Sequence, residues 1–424
     1  MKLQKKRFDY SWIMVIISFM MVFVCLGFCS SNKSLYLGAI TEALGIKRSL
    51  FSLNDTCRFV VCAIVNLCFG TLVNRFGIRK MVAVGFAALI GAVLIYANAT
   101  NIFVFYIGGC LLGVGLAFTT TTMVSVMVKR WVKTNTGTIL GIVMAANGFG
   151  GAFAAQIVTP IIYQEGNPFG YRNAYTLVAV IVAVVGTLSV LLIREKPEGA
   201  EVAPVGGKKK PRGGGWVGME FKEALRQPFF IPAAISLFFT GFLLSGVEAI
   251  GGTHLKDVGL DSGYVATVLS AHALVLTATK FLAGVCFDSK GLRTMLNICN
   301  ITGIISMAAL AFTTVSPAGM VMAMVWGVLS SLALPMETIG VSLVTSDLYG
   351  NKCFDQMMGV MAALNYLGYA VGIPVMNFFY DMNGSYKPIV LIFTGIFIVI
   401  TVMYQFVISA AHKKRKEIEA AQVQ

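Results

Sequence analysis

GTLVNRFGIRK (residues 70–80) and GVCFDSKGLRT (residues 284–294) decide how this 424-residue chain folds. The two stretches align at an offset of 214, with Gly70 on Gly284, Gly77 on Gly291 and Arg79 on Arg293. Each sits between two long apolar runs. The same offset carries the fourth apolar run onto the tenth. In the fifth run, GIVMAANGFG (141–150) matches GVMAALNYLG (359–368) at an offset of 218, placing Asn147 on Asn365 and Gly150 on Gly368. Shared Ala, Gly and Val could imitate a repeat. Two motifs in register at equivalent places argue for a duplicated unit.

The residues around the motifs are overwhelmingly apolar. Hydrophobic residues make up 57% of the chain and charged residues 12%, against about 45–50% and about 25% in soluble domains. A spanning helix uses about 20 apolar residues, so the chain has room for about twelve. That excludes a soluble enzyme and a nucleic-acid-binding domain. Twelve runs stand out: 12–38, 49–74, 80–97, 102–128, 137–161 and 173–193, then 228–254, 263–287, 293–314, 318–346, 355–379 and 387–411. The first extends far beyond a cleavable leader's apolar core and lacks an A-x-A site, so it is expected to stay as the first span. The expected organisation is therefore an N-terminal half (1–193), a linker (194–227), a C-terminal half (228–411) and a tail (412–424). The linker, rich in Pro, Gly and charge, reads as flexible, ending in a short amphipathic stretch.

Net charge is +14. With the N-terminus placed inside, cytoplasmic segments hold 25 of the 33 Lys and Arg, exterior loops hold 5, and Lys33, Arg58 and Lys280 lie within spans. This bias predicts both termini and the linker in the cytoplasm of a multi-pass cell-membrane protein. It also accounts for the basic charge without nucleic acid. The nine cysteines fall in apolar runs or at their ends, outside any CxxC, and read as small buried hydrophobes. No metal or cofactor is expected.

Two six-helix halves in parallel orientation form the architecture of major facilitator transporters. The chain resembles that superfamily in G-x-L-x-[DN]-R-x-G-x-R-K, here Gly70, Leu72, Asn74, Arg75, Gly77, Arg79 and Lys80. The superfamily usually has Asp at the place of Asn74. The second copy keeps it as Asp288, with Gly284, Gly291 and Arg293. The implied fold is all-α, with twelve transmembrane helices in two repeats and these loops governing conformational change. GFCSSNKSLYLGAI in span one, LGIKRSLFSL entering span two, and KRWV through GTILGIVMAANGFGGAFAAQIVTP are similar to the monocarboxylate porter and oxalate/formate antiporter branch. That resemblance implies roles for Lys33 and Lys280, which match functional cations of spans one and eight. The porters' Asp one turn before the span-eight cation is Leu276 here, and the antiporters' span-eleven lysine has no counterpart.

Charge inside a bilayer is costly, about 2.5–3.5 kcal/mol at mid-span on insertion scales, and so marks protein-facing or wet positions. The interiors of spans three, six, nine and twelve hold none. Spans one, two, seven, eight and ten hold Lys33, Asp55, Arg58, Glu248, Lys280 and Glu337. The resemblance puts these five spans around a central cavity. Bland readings compete throughout. Lys33 and Lys280 could snorkel to the surfaces, and Arg58 could pair with Asp55 at i−3. His272, at Arg58's repeat position, could be a packing histidine. Asn147 and Asn365 could serve helix contacts, and Glu337, two residues after the kink-forming Pro335, could be in a structural pair. The functional reading makes Lys33, Arg58, His272, Lys280, Asn147 and Asn365 substrate-binding, and Glu248 and Glu337 proton-coupling or gating. Depth suggests an outer pair, Lys33–Glu248, and an inner pair, Lys280–Glu337.

The expectation is a monomeric secondary transporter moving a small carboxylate with protons, by alternating access. Exchange against a counter-anion is the alternative coupling. A transporter-like sensor without flux is the alternative of another class. The enzyme motifs GxSxG, HExxH and GxxxxGK[ST] do not occur, and a GxGxxG at Gly213, Gly215 and Gly218 follows no strand.

Overall fold

The first apolar run forms two helices, α1 (Tyr10–Cys25) and α2 (Lys33–Leu44), instead of one. The remainder of the N-terminal half is α3 (Arg48–Phe76), α4 (Ile78–Asn98), α5 (Ile102–Thr119), α6 (Thr121–Trp131), α7 (Thr136–Ile162) and α8 (Gly170–Leu192). The five-residue α9 (Phe221–Leu225) lies at the end of the linker, and the second half opens with α10 (Phe230–Asp257), α11 (Ser262–Lys290), α12 (Leu292–Ala311) and α13 (Pro317–Ala333). A π turn (Met336–Gly340), α14 (Val341–Tyr349), α15 (Phe354–Asn383) and α16 (Lys387–Ala421) complete it. The structure, a computed structural model, describes residues 10–46, 48–132, 134–164, 166–195 and 218–421, with no strand among them. Most of the linker lies outside the described residues.

Eleven helices among the described residues are long and apolar enough to cross a membrane, with α5–α6 and α13–α14 each counted as one. The expected count of twelve differs at the first run, whose pieces Tyr10–Cys25 and Leu35–Leu44 are apolar but shorter. Its break has a local cause. Ser31 Oγ donates to the Leu26 carbonyl (3.0 Å) and Asn32 Nδ2 to that of Gly27 (3.4 Å). Side chains of this kind offer the backbone partners that compete with the helix ladder. Helix α16 runs on through most of the tail, to Ala421.

The duplication is visible in backbone detail. Gly77, between α3 and α4, has φ 84°, and Gly291, between α11 and α12, has φ 86°. Gly77 N donates to the Val73 carbonyl and Gly291 N to the Phe287 carbonyl, both at 2.8 Å. Positive φ is where glycine alone is unstrained, so both copies need it. A second correspondence is a pair of interruptions. Thr120 separates α5 from α6, and 214 residues later Leu334 separates α13 from the π turn.

Helix direction alternates, so the start of α1, the α3–α4 turn, the end of α8, the start of α10 and the end of α14 share one side, the linker side. Contacts agree: Tyr10 Oη donates to the Leu192 carbonyl (2.6 Å) and Met219 N to that of Tyr349 (3.3 Å). Between the halves, α3 packs on α15 and α7 on α11. Apolar side chains such as Phe103, Val184, Ile231 and Phe406 are more than half exposed on the outside. An outer surface this apolar suits hydrocarbon, not water.

Candidate functional site

A cavity of about 910 Å³ opens where the α1–α2 break and α7 face α10 and α11. The break supplies its first wall. Ser31 Oγ donates to Asn147 Oδ1 on α7 (2.7 Å), and Asn32 Nδ2 donates to the Gly151 carbonyl (3.0 Å). These bonds hold the irregular segment against α7, with neutral polar groups at the cavity wall. Irregular backbone at membrane depth is tolerated where it lines such a space.

The opposite wall carries the charge. His272 on α11 is buried, and its Nε2 lies 2.9 Å from Oε1 of Glu248 on α10. Its Nδ1 lies 3.0 Å from the Gly327 carbonyl and 3.0 Å from Oγ of both Ser330 and Ser331. Trp326 stacks on the ring at 6.0 Å with an interplanar angle of 9°. Glu248 is 35% exposed and lines the cavity. Two turns along α11, Lys280 lines it too. Lys280 is only 4% exposed and makes no ion pair with any described residue.

The expected pairs are Lys33–Glu248 and Lys280–Glu337. Glu248 binds His272, and the side chain of Lys33 lies outside the described residues. Lys280 and Glu337 are close enough for their charges to interact, yet they form no direct ion pair. Glu337 Oε1 is buried without a hydrogen-bond partner, and Glu248 adds its charge to that site. The Ser331 carbonyl, which Pro335 deprives of a helical donor, accepts from Thr279 Oγ1 at 2.7 Å.

Two expected binding residues sit away from the cavity lining. Arg58 donates from Nη1 to Ser30 Oγ (2.8 Å), lies 3.7 Å from Asp55, and stacks its guanidinium 4.2 Å above the Phe59 ring. Asn365 is buried and donates to the Leu237 carbonyl (3.0 Å), fastening α15 to α10. Its repeat mate Asn147 does line the cavity.

The loop motifs gather on the linker side. Asp288 accepts from Gly137 N (3.0 Å) and Thr138 N (2.6 Å), capping α7 of the other half. Gly284 and Gly137 meet backbone to backbone there, with no room for a Cβ on either. Gly70 packs likewise against Gln356. Asn74, Arg75 and the side chain of Arg79 are exposed, whereas Arg293 donates to Ser409 Oγ (2.7 Å). The sequence reading missed Glu195, which caps α4 through Ile78 N and Arg79 N (both 3.0 Å). It also missed the Arg130–Asp355 ion pair joining the halves, and Thr279, Ser330 and Ser331. None of these carries a spacing signal, because each partner is more than 50 residues away.

A sequence profile described as Major Facilitator Superfamily matches residues 12–261 and 234–423. The chain belongs to the Major Facilitator Superfamily. It is 23% identical over 398 residues to YcxA, an uncharacterized MFS-type transporter of Bacillus subtilis (strain 168), covering 92% of this chain and 94% of that one. It is 21% identical over 339 residues to the sialic acid transporter NanX of Escherichia coli (strain K12), covering 75% and 73%. A match to a nitrite extrusion protein of Bacillus subtilis (strain 168) is 27% identical over 155 residues, or 37% of this chain and 38% of the relative. Among solved structures, FucP in the outward conformation superposes with a TM-score of 0.65 at 17% identity, covering 94% of this chain and 99% of that one. The proton:xylose symporter XylE reaches 0.70 at 13% identity, covering 94% and 97%. The Major Facilitator Superfamily is a family of membrane transporters, and this member has its all-helical fold. The cavity lies between the two repeats, where such folds hold small molecules.

Proposed function

We propose that this chain is a secondary active transporter for a small organic anion, a monocarboxylate, coupled to protons and working by alternating access. The supporting observation is Lys280: a buried lysine that lines the cavity between the halves and forms no direct ion pair among the described residues. Leaving it so is expensive unless an arriving anion completes it, and a lysine supplies charge-assisted hydrogen bonds to carboxylate oxygens. Ser31, Asn147 and Thr277 offer neutral polar contacts for the rest of the substrate, and the Ala and Leu residues around them favour a small apolar body. Two relatives bear names of anion carriers, for sialic acid and nitrite.

In this reading α1 and α2 together form a twelfth span of a monomer in the cell membrane, with both termini cytoplasmic. His272, Glu248 and Glu337 are the groups placed to hold a coupling proton. Purified protein in liposomes tests the reading, with labelled pyruvate or lactate outside and an inward acid gradient. Accumulation above the level without a gradient, lost in Lys280→Ala, supports it. Neither accumulation nor exchange of any small monocarboxylate overturns it.

A further inference from the structure

We infer that His272 and Glu248 form a single proton site, with one proton held between Nε2 and Oε1, and that its occupancy sets whether the cavity accepts a carboxylate. The second clause rests on the monocarboxylate reading; the first does not. A carbonyl only accepts, so Nδ1, 3.0 Å from the Gly327 oxygen, carries a hydrogen. The ring is held in that orientation. Ser331 Oγ bridges Nδ1 and the backbone carbonyl of His272, to which it donates (2.8 Å), and Trp326 covers the ring's face. Only Nε2 can gain or lose a proton.

Two descriptions fit the 2.9 Å contact with Glu248: imidazolium against carboxylate, or imidazole accepting from a carboxylic acid. They contain the same proton. Removing it leaves the Nε2 lone pair facing a carboxylate at hydrogen-bond distance, which is repulsive. Glu248 then swings into the cavity, to which it is already 35% exposed. There its negative charge competes for Lys280, about 12 Å along the same face of α11.

Charge counting ties the proton to the anion. One proton on this site raises the cavity's charge by one, the amount a monocarboxylate brings with opposite sign. Among the described residues, the other charged groups facing the pair are Lys280 on α11 and Glu337 on the π turn. α7 and the α1–α2 break contribute neutral Asn147, Ser31 and Asn32, and α13 contributes Gly327, Ser330, Ser331 and Trp326. Glu337 is the competing carrier, and the experiment separates the two.

Trp326 is a built-in reporter, because an imidazolium stacked on indole quenches its emission. The full-length protein with Trp12, Trp131 and Trp216 changed to Phe is titrated between about pH 5 and about pH 9, where histidine changes charge. A transition with one-proton steepness, absent in His272→Gln, is expected. A flat titration overturns the inference, as does a transition that survives in His272→Gln. Should that variant not fold, Glu248→Gln serves: its midpoint must move by about one pH unit or more, and an unmoved midpoint overturns the shared site. In proteoliposomes Glu248→Gln should exchange labelled pyruvate but lose at least about ten-fold of the pH-driven accumulation. Accumulation kept in Glu248→Gln and lost in Glu337→Gln assigns the proton to Glu337 instead. A one-proton transition without any pyruvate movement upholds the site and overturns the monocarboxylate reading alone.

Discussion

Thr279 Oγ1 donates 2.7 Å to the carbonyl of Ser331, the one that Pro335 leaves without a helical donor. The hydroxyl, also 3.1 Å from the Leu276 carbonyl, therefore ties α11 to the interrupted tenth span, one residue before Lys280. Thr279→Val should lower stability by about 1–2 kcal/mol, the scale of an interhelical hydrogen bond whose acceptor is left buried. Pro335→Ala returns a backbone N–H to Ser331, making the hydroxyl redundant. Thermal unfolding of the two single variants and the double variant checks this. Additive losses would show that the bond does not couple the helices.

Arg58 makes a second prediction. Its partners are Ser30 at the break, Asp55 on its own helix and the Phe59 face. Removing the arginine takes a cation away from Asp55, and removing Asp55 takes the carboxylate away from a buried guanidinium. Arg58→Ala and Asp55→Ala should each lower the melting temperature, and the double variant should lose less than their sum. With Asp55 35% exposed, each loss should be about 1–2 kcal/mol, below the 3–5 kcal/mol of a fully buried pair. Uptake abolished in Arg58→Ala at unchanged melting temperature would instead place the guanidinium on substrate.

In the proposed function Lys280 supplies charge first and geometry second. Lys280→Arg should keep part of the transport because the cation survives, although a planar fork replaces a point charge. Lys280→Ala should lose at least about ten-fold in pyruvate counterflow, equivalent to about 1.4 kcal/mol of binding. Counterflow needs no gradient, so it reads binding and exchange apart from proton coupling. Equal counterflow in both variants would remove Lys280 from the site.

What the sequence made legible was whatever the repeat constrains. Gly77 and Gly291 share one backbone conformation because both copies turn between helices in the same way. The Asp288 and Gly284 positions followed from the same motif. The break at residues 26–32 was hidden, because Ser31 and Asn32 also occur inside helices, and their partners on α7 lie more than 110 residues away. Buried charges could be found by depth, but depth along an axis leaves the angle around it open. Glu248 thus reached His272 on the neighbouring helix, and Asn365 turned from the cavity toward α10 while Asn147 did not.

The two halves seal the linker side by different chemistry, and this asymmetry gives the last prediction. In the second copy Asp288 caps α7 with two hydrogen bonds from Gly137 N and Thr138 N. A carboxylate there also answers the positive end of the α7 dipole. In the first copy the corresponding residue is Asn74, exposed and uncharged, and the start of α15 carries its own acid, Asp355, bound to Arg130 of the other half. Alternating access, as proposed, would require both seals to open, so weakening either should favour opening on this side. Bonds to a charged group contribute about 1.5–3 kcal/mol each when sheltered, and Asp288 is half-buried, so Asp288→Ala should cost at least about 1.4 kcal/mol of closure. That is a ten-fold change in the open population. Phe287, 1% exposed and seated against Gly137, marks the seal. With the native cysteines replaced, Phe287→Cys should react with an impermeant maleimide about ten-fold faster when Asp288→Ala is added. Asp355→Asn should accelerate it through the other seal. Labelling unchanged by both substitutions would mean that close packing of Gly137 on Gly284 and of Gly70 on Gln356 holds the side closed without the charges.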